Sequence, residues 1–369
     1  MTRKTIHVTK PSLPPLEEFV QYLEQIWESR LLTNCGPLHE ELEAALCSYL
    51  KVPFVSLFNN ATVGLITALQ AMELTGEVIT TPFSFVATTD AIVWNRLDPV
   101  FVDIDPTSLN LDPAKIEAAI TPRTTAILPV HCYGNPCDVD AIDAIAKRHK
   151  LKVLYDAAHA FGVNCHCGSV LKHGDLSVLS FHATKAFNTF EGGAIISPTA
   201  AVKKKIDQLR NFGIVNETSV NAVGMNGKMS EINAAMGLVQ LRHIDRFVAA
   251  RKQVDAEYRK QLKNVWGIRC LDGVAGESSN YSYFPILVEA DYPDSRDGLY
   301  ERLKSAGFFA RRYFHPLISE FPVFNNLPSA SSENLPTATI ASRQILCLPL
   351  YHDLDLSVVC EIARLIGNC

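Results

Sequence analysis

Short apolar segments alternate with helix-like segments along the first two-thirds of the chain. Leu38, Leu42, Leu46 and Leu50 fall on one face of a helix, whereas Leu151–Tyr155 has the length and character of a buried strand. The pattern predicts strands at Val52–Phe58, Glu77–Thr80, Pro99–Val102, Thr125–Val130, Leu151–Tyr155, Ser177–Phe181 and Ala194–Ser197. It predicts helices at Leu38–Leu50, Thr62–Glu73, Ser84–Trp94, Pro113–Ala119 and Asp138–Lys147. Such alternation is typical of an α/β fold with a mainly parallel sheet.

The pattern changes after Ser230. Glu231–Arg246 and Phe247–Leu262 are helical patterns with no strand between them. A mixed unit follows, with strands at Tyr281–Val288 and Phe308–Arg312, helices at Arg296–Ala306 and Ser357–Ile366, and loops at Gly273–Asn280 and Pro316–Pro336. We therefore expect an N-terminal arm and helix (1–30), a large domain (31–245) and a smaller C-terminal α+β domain (246–369).

Composition narrows the possible functions. The 369 residues include 34 Lys and Arg against 39 Asp and Glu, a net charge of −5, so the chain lacks the basic surface of a nucleic-acid binder. No apolar run approaches the ~18 residues that a membrane span requires. The basic start of the chain leads into prolines rather than an apolar stretch, which is unlike a signal peptide. We expect a cytoplasmic protein.

The ten cysteines are too sparse for a disulfide scaffold. Cys165 and Cys167 flank His166, and His173 follows closely. A C-x-C spacing matches no zinc pattern of two separated ligand pairs, so we expect free thiols and no bound metal.

Common motifs of α/β enzymes are missing. The chain has no G-x-G-x-x-G, no G-x-x-x-x-G-K-[ST], no H-E-x-x-H and no G-x-S-x-G. The first absence removes the fingerprint that an NAD-dependent sugar oxidoreductase needs. The chemistry must come from other residues.

Three local features could supply that chemistry. At Phe58–Thr62 a strand ends and a helix begins, which favours either a phosphate site or an ordinary N-cap. Asp156 ends a buried strand and could hold a metal, a ribose hydroxyl or a cationic ring nitrogen, or cap the next helix; His159 follows on the same face. Lys185 follows an apolar strand, where it is either solvated or a semi-buried nucleophile.

Together these features match the needs of one cofactor. A phosphate cradle, an acid for a protonated ring nitrogen and a lysine for an aldehyde are what pyridoxal phosphate requires of a protein. The three therefore predict a pyridoxal-phosphate site at the carboxyl ends of neighbouring strands.

An ordered series of motifs extends this interpretation to nearly the whole chain. The motifs are Leu31–Pro37, Asn59–Thr62, Thr80–Thr88, Pro99–Pro106, Leu128–Gly134, Asp156–His159, Ser180–Lys185, Glu191–Gly193 and Met225–Glu231. They resemble the DegT/DnrJ/StrS family of sugar aminotransferases, which are fold-type I pyridoxal-phosphate enzymes. The resemblance implies a large domain with a mainly parallel mixed sheet between helices and a smaller C-terminal domain.

The resemblance implies a role for individual residues. Lys185 matches the Schiff-base lysine, Asp156 the carboxylate at the pyridine nitrogen, and His159 the residue at the ring hydroxyl. The other positions that match cofactor contacts are Thr62, Ser180 and the Ala61–Val63 backbone at the phosphate, Phe85 stacked on the ring, and Asn226 reaching the phosphate from a partner subunit. A homodimer with shared active sites is therefore implied.

The resemblance also bears on substrate. His159 and the segment Ser180–Gly193 look more like members that aminate C-4 of a nucleotide-linked 4-keto-6-deoxyhexose. We expect L-glutamate as donor and dTDP-4-keto-6-deoxyglucose as acceptor, giving a 4-amino-4,6-dideoxy sugar for surface polysaccharide such as O-antigen. Tyr313 and His315 are candidates for the sugar pocket or an aromatic edge of the small domain.

Several alternatives stay open from the sequence. Related members aminate C-3, and a dehydratase subgroup has histidine in place of the lysine, which Lys185 disfavours. A catalytically silent, cofactor-binding regulatory protein is a further possibility, which the Asp156–Lys185 pair argues against. Two other residues, Asp103 and His131, are expected to be structural.

Overall fold

A computed structural model describes residues 5–272 and 278–367. The strands are β1 Ile6–His7, β2 Phe54–Phe58, β3 Glu77–Thr80, β4 Asp98–Phe101, β5 Thr124–Leu128, β6 Lys152–Asp156, β7 Asn164–Cys165, β8 Gly168–Ser169, β9 Leu176–Ser180, β10 Gly193–Ser197, β11 Ile214–Asn216, β12 Ser219–Val220, β13 Ile268–Cys270, β14 Phe284–Val288, β15 Phe308–Phe309 and β16 Ile345–Leu348.

The helices connect these strands. They are α1 Leu16–Ser29, α2 Pro37–Leu50, α3 Ala61–Ala71, α4 Ala87–Trp94, α5 Pro113–Ile116, α6 Val139–His149, α7 Ala200–Leu209, α8 Glu231–Leu262, α9 Arg296–Ser305, α10 Pro336–Gln344 and α11 Leu356–Gly367. None of the described helices is long and apolar enough to span a lipid bilayer.

A seven-stranded sheet carries the larger part of the fold, in the order β2-β10-β9-β6-β5-β3-β4. Neighbouring strands from β9 to β4 are parallel, while β10 runs antiparallel to both of its neighbours. The expectation of a mainly parallel, mixed α/β sheet is confirmed. A second, antiparallel sheet has the order β13-β14-β16.

The strand order places the candidate residues together. Strand β6 pairs in parallel with β9, with Asp156 opposite Val178. Their carboxyl ends therefore lie at one edge of the sheet, where α/β folds bind ligands. Asp156 and the segment that carries Lys185 consequently leave the sheet side by side.

Helix α8 corrects one expectation. The two helical patterns predicted at Glu231–Arg246 and Phe247–Leu262 form a single helix of 32 residues that begins at the N-cap Ser230. No glycine or proline occurs where the two patterns meet, so nothing there interrupts the backbone hydrogen bonds. The predicted boundary at 245/246 thus lies within continuous helix.

Other differences concern short elements. The predicted strand Phe308–Arg312 is reduced to β15, which pairs with β1 from the N-terminal arm. Helix α10 and strand β16 were not predicted, because they follow a polar, proline-containing segment with no clear period. Part of the predicted loop Gly273–Asn280 lies outside the described residues.

An aromatic cluster joins the C-terminal segment to the edge of the large sheet. Phe314 meets Phe83 edge to face, with ring centroids 5.7 Å apart, and stacks near Tyr133 at 6.0 Å. Asp103, expected to be structural, accepts hydrogen bonds from the N–H groups of Thr337 and Ala338 at the start of α10. These contacts fix the C-terminal segment against the sheet.

A buried charged cluster supports α2 on another part of the molecule. The Glu43 carboxylate accepts hydrogen bonds from His39 (3.1 Å), Arg210 (3.0 Å), Lys203 (2.7 Å) and the Leu57 N–H (3.1 Å). Burial raises the pKa of Glu43, but the hydrogen bond from His39 and the charges of Arg210 and Lys203 outweigh burial and lower it. We call these four charged residues the Glu43 cluster.

Candidate active site

A cavity of about 420 Å³ opens at the carboxyl edge of the sheet, next to β6 and β9. Of the residues predicted from the sequence, it is lined by Ala61, Thr62, Phe85, Asp156, His159, Ser180, Lys185 and Tyr313. The structure therefore gathers eight of the predicted positions, from distant parts of the sequence, around one space. Val63, Asn226 and His315 do not line it.

Lys185 lies on the loop that follows β9, and its amine faces the ring of Tyr283 at 5.8 Å. Burial lowers the pKa of Lys185 to about 8, although the charge of Asp156 raises it in part. A lysine of pKa near 8 is roughly one-tenth free base at pH 7, about two orders of magnitude more than an ordinary lysine. The chain thus presents a primary amine that can act as nucleophile and base.

Asp156 is the last residue of β6 and is buried. Its carboxylate accepts hydrogen bonds from the Thr88 hydroxyl at 2.7 Å and the Ala158 N–H at 3.1 Å. Burial raises the pKa of Asp156, while these hydrogen bonds and the charge of Lys185 lower it. None of the ion pairs found among residues 5–272 and 278–367 includes Asp156, so its carboxylate can still pair with a cationic group in the cavity.

His159 presents a neutral ring. Its Nδ1 accepts a hydrogen bond from the Tyr133 N–H at 3.2 Å, which leaves the proton on Nε2. Burial, together with the charge of Lys185, holds the pKa of His159 well below its ordinary value. The backbone carbonyl of His159 accepts hydrogen bonds from Asn280 and Ser282, which fix this turn. The imidazole is therefore positioned as a donor of one hydrogen bond.

The start of α3 forms one wall of the cavity. N–H groups in the first turn of a helix have no acceptor within the helix, which makes this end suited to an anion. The Val63 N–H, however, donates to the Asn60 side chain at 2.8 Å. The structure therefore does not support the Val63 N–H as a donor to the phosphate, because this N–H already donates to the Asn60 side chain. Thr62 and Ser180 remain on the cavity wall.

Phe85 is 60% exposed although it is a large apolar side chain, because it borders the cavity. Tyr313 borders the same space, whereas His315 hydrogen-bonds to Ser342 at 3.1 Å and lines an adjoining cavity of about 420 Å³. Tyr313 and His315 therefore share the adjoining cavity, and their role in a sugar pocket stays a prediction. Phe85 and Tyr313 line both cavities.

Asn226 lies on the exposed surface and forms a β-bridge with Asn211. It does not line the cavity of its own chain. Its predicted role, a contact from the partner subunit, is compatible with this exposure and stays a prediction.

Sequence reasoning missed several residues of the site. Ser84 and Thr88 lie inside the motif Thr80–Thr88, and their hydroxyls are 2.9 Å apart beside Asp156. The sequence signal that could have identified them is a pair of hydroxyl residues four positions apart, a spacing of one helical turn. The motif that contains them was used only for the family resemblance. Three further lining residues were not assigned a role from the sequence, namely Glu191, which lies in a quoted motif, and Tyr283 and Arg311.

Known proteins resemble this chain in sequence and in fold. The model of the DegT/DnrJ/EryC1/StrS aminotransferase family matches residues 16–366. The chain belongs to this family.

Two relatives are identical to this chain at more than half of the aligned positions. A dTDP-4-amino-4,6-dideoxy-D-glucose transaminase of Shigella dysenteriae is 55% identical over 356 residues, which cover 96% of each chain. The protein of the same name from Escherichia coli is 55% identical over 367 residues, which cover 99% of each chain. The similarity therefore extends over nearly the whole chain.

Solved structures agree with the fold. The structure of DesI in the presence of its TDP-sugar product is 35% identical, with a TM-score of 0.94, and covers 99% of this chain and 93% of that one. The protein is thus an aminotransferase of fold-type I.

The family implies pyridoxal phosphate, and the residues present fit it. The buried Asp156 carboxylate lacks a cationic partner and matches a protonated ring nitrogen, and the His159 Nε2–H matches a ring hydroxyl. The helix start at Thr62 matches the phosphate, and Lys185 matches the aldehyde. Each polar group of the cofactor therefore has a protein group of complementary chemistry.

Proposed function

We propose that this protein transfers an amino group from L-glutamate to C-4 of dTDP-4-keto-6-deoxyglucose and releases dTDP-4-amino-4,6-dideoxy-D-glucose. The observation that carries the proposal is the placement of Lys185 and Asp156 in one cavity, in a chain 55% identical over nearly its full length to transaminases named for this sugar.

Lys185 is proposed to move the proton. When bound, pyridoxal phosphate acts as an electron sink for the carbon that loses a proton. The Lys185 amine lies in the same cavity and has a pKa lowered to about 8, close to the value that general base catalysis requires near neutral pH. It removes a proton from the donor and returns it when the acceptor receives nitrogen.

Asp156 and His159 are proposed to hold the ring. The Asp156 carboxylate pairs with the ring nitrogen and keeps it protonated, an electrostatic contribution that is strong because the site is buried. His159 donates through Nε2, since Nδ1 is already engaged by the Tyr133 N–H. Thr62 and Ser180 bind the phosphate, and Phe85 covers the ring face.

The adjoining cavity offers room for the sugar nucleotide. It continues from the first cavity through Phe85, Arg311 and Tyr313, and it also contains Arg312 and His315. Arg311 offers a positive charge to a diphosphate, while Arg312 is already paired with Asp297 at 2.7 Å. We therefore place the sugar near Tyr313 and the nucleotide towards His315.

The proposal extends to the location, the assembly and the biosynthetic role of the protein. We propose a cytoplasmic homodimer, with Asn226 completing the partner's phosphate site, that supplies an amino sugar for lipopolysaccharide O-antigen. The dimer rests on the resemblance to the family, and the exposure of Asn226 is consistent with the role proposed for it.

The reaction is tested by incubating the cofactor-loaded enzyme with L-glutamate and a panel of keto sugar nucleotides. NMR of the product is expected to place nitrogen at C-4 of the dTDP-linked sugar. Nitrogen at C-3 would overturn the regiochemistry, and loss of a hydroxyl without gain of nitrogen would indicate a dehydratase. A protein that binds the cofactor but carries out no half-reaction with glutamate would be the regulatory alternative.

The identity of the reactive lysine is tested separately. Reduction of the cofactor-loaded enzyme with borohydride, followed by peptide mapping, is expected to place the label on Lys185. A label on any other lysine contradicts the assignment.

The role of Asn226 is tested by mixing two inactive variants, Lys185→Ala and Asn226→Ala. If Asn226 serves the partner's site, each mixed dimer contains one intact site, and activity is recovered after subunit exchange. If Asn226 serves its own site, both sites of the mixed dimer carry one defect and activity is not recovered.

A further inference from the structure

A cluster of two thiols and an imidazole lies outside the active-site cavity. Cys165 ends β7, and Cys167 lies in the two-residue turn that leads to β8. A single 3-10 turn, Val170–Lys172, then brings His173 back to the hairpin. The Sγ atoms are 3.2 Å apart, and His173 Nε2 lies 3.4 Å from Cys165 Sγ and 3.2 Å from Cys167 Sγ.

The three ligand atoms form a compact triangle. Tetrahedral zinc with bonds of about 2.3 Å to sulfur and about 2.0 Å to nitrogen separates two sulfurs by roughly 3.8 Å and a sulfur from a nitrogen by roughly 3.5 Å. The observed separations are shorter by roughly 0.6 Å between the sulfurs and by roughly 0.1–0.3 Å between sulfur and nitrogen, which small side-chain rotations can supply. The three ligand atoms thus already lie close enough together to share one ion.

The fold explains why the spacing alone did not reveal this cluster. Zinc ligands are recognised in sequences as two separated pairs, but here a tight hairpin places Cys165 and Cys167 on the same side. The third ligand comes from the turn after β8. Gly168 has φ of +110°, a conformation that favours glycine and allows the chain to reverse directly after Cys167.

We propose that Cys165, Cys167 and His173 bind one zinc ion, with a water molecule as the fourth ligand. Two thiolates balance the charge of the dication, and a mixed sulfur and nitrogen set is typical of zinc. Cys167 is exposed, which leaves one side of the triangle open to solvent. Binding displaces the two thiol protons into solvent.

The proposed role is structural. None of the three residues lines the active-site cavity. The cluster instead connects the hairpin to the turn before β9, within the segment that links His159 to the strand preceding Lys185. A metal ion here would stabilise that segment in its folded geometry.

The test measures metal in the full-length protein, purified without a metal-chelating tag, incubated with zinc and then dialysed. Elemental analysis is expected to find about one zinc per chain in the parent. The variant Cys167→Ser is expected to lose affinity by more than the roughly 10–100-fold that loss of a supporting contact costs. Because Cys167 is exposed, this substitution does not disturb the core.

Cys360→Ser is the matched control, since Cys360 is a half-buried thiol on α11 distant in sequence from the cluster. It should retain the zinc content of the parent. Cobalt substitution is expected to give thiolate-to-metal absorption bands in the parent and in Cys360→Ser, weakened in Cys167→Ser.

Three outcomes would overturn the proposal. One is a parent protein that keeps no zinc after dialysis, and another is equal zinc affinity in the parent and in Cys167→Ser. The third is a Cys165–Cys167 disulfide in the zinc-treated protein, recognised by the loss of two hydrogen atoms from the intact mass. Each of these readouts is independent of transamination.

Discussion

The Glu43 cluster and the Lys185–Asp156 pair each combine buried with half-buried charged residues, yet desolvation has opposite consequences in them. In the Glu43 cluster the partners lie at 2.7–3.1 Å and outweigh desolvation, so the pKa of Glu43 is lowered and that of His39 is raised to about 9. In the active site burial prevails, so the pKa of Lys185 falls to about 8 and that of Asp156 rises.

The difference lies in what each group contacts. Every charge in the Glu43 cluster has a partner of opposite sign, which holds the cluster in its ionised form. Asp156 receives only neutral donors, and Lys185 faces an aromatic ring. Unpaired buried charges are costly, and proteins retain them where a ligand or a reaction uses them. The comparison separates a structural cluster from a functional one without reference to any relative.

The largest effect on the transamination rate is expected from removal of the reactive amine. Lys185→Ala should reduce transamination by at least ~10⁴-fold, because both the nucleophile and the base are removed. The apo-form should unfold at an unchanged or higher temperature, since the variant no longer buries an amine. Steady-state kinetics and thermal unfolding test both parts, and a large loss of stability would contradict the comparison.

Breaking the Glu43 cluster should reduce stability and leave catalysis unchanged. Glu43→Gln is expected to lower the free energy of unfolding by about 1–3 kcal/mol, because Arg210 and Lys203 lose one of the two carboxylates that they share and keep the other, Asp207. The kcat of the folded enzyme should be unchanged. Denaturant unfolding and kinetics on the same preparation measure the two quantities.

The control is Glu73→Gln, which removes an exposed pair with Lys205. It should leave stability unchanged, because solvent screens such pairs. Equal effects of the two substitutions would show that the Glu43 cluster does not depend on burial.

The pH dependence of stability sharpens the same contrast. Burial lowers the pKa of His39, but hydrogen bonds with Cys35 and Glu43 raise it to about 9, above its ordinary 6.5. The stability it contributes is therefore fully present below pH 6.5 and lost as pH rises through 9, by about 3 kcal/mol at most. Lys185 acts in the opposite direction, because its penalty is relieved between about pH 8 and 10.5.

His39→Gln isolates the first contribution. The difference in unfolding free energy between the parent and this variant should decrease from pH 6.5 to 9, as measured by urea unfolding at each pH. A difference that stays constant across this range would contradict the assignment.

The smallest effect is expected at Thr88. Thr88→Val removes the hydroxyl that donates to Asp156, so the pKa of Asp156 should rise further and the carboxylate should pair less strongly with the ring nitrogen. We expect kcat to fall about tenfold, with a smaller change in KM for the sugar. Thr88→Ser restores the donor and should recover most of the rate, whereas a merely steric role would not be rescued.

The sequence predicted the large sheet well because its signals are local. The strand Glu77–Thr80 was predicted with its observed bounds, and Asp156 and Lys185 were identified because strand ends in an α/β fold bind ligands. The continuity of α8 was missed, since two adjacent helical patterns do not reveal whether a break separates them.

Contacts between distant segments could not be derived from the sequence. The support of Asp156 by Thr88 depends on how α4 packs against β6. The cluster of Cys165, Cys167 and His173 depends on the path of a hairpin and one turn, which no spacing rule records.

Helix α8 has a consequence for how the molecule melts. Its first half packs with Ala234 and Val239 in the core of the large sheet, and its second half packs with Val254 and Tyr258 in the C-terminal core. If one core unfolds, its half of α8 loses its packing, and the helix then frays into the half that belongs to the other core. Calorimetry should consequently record a single endotherm, and a protease should find no early cleavage point near 245.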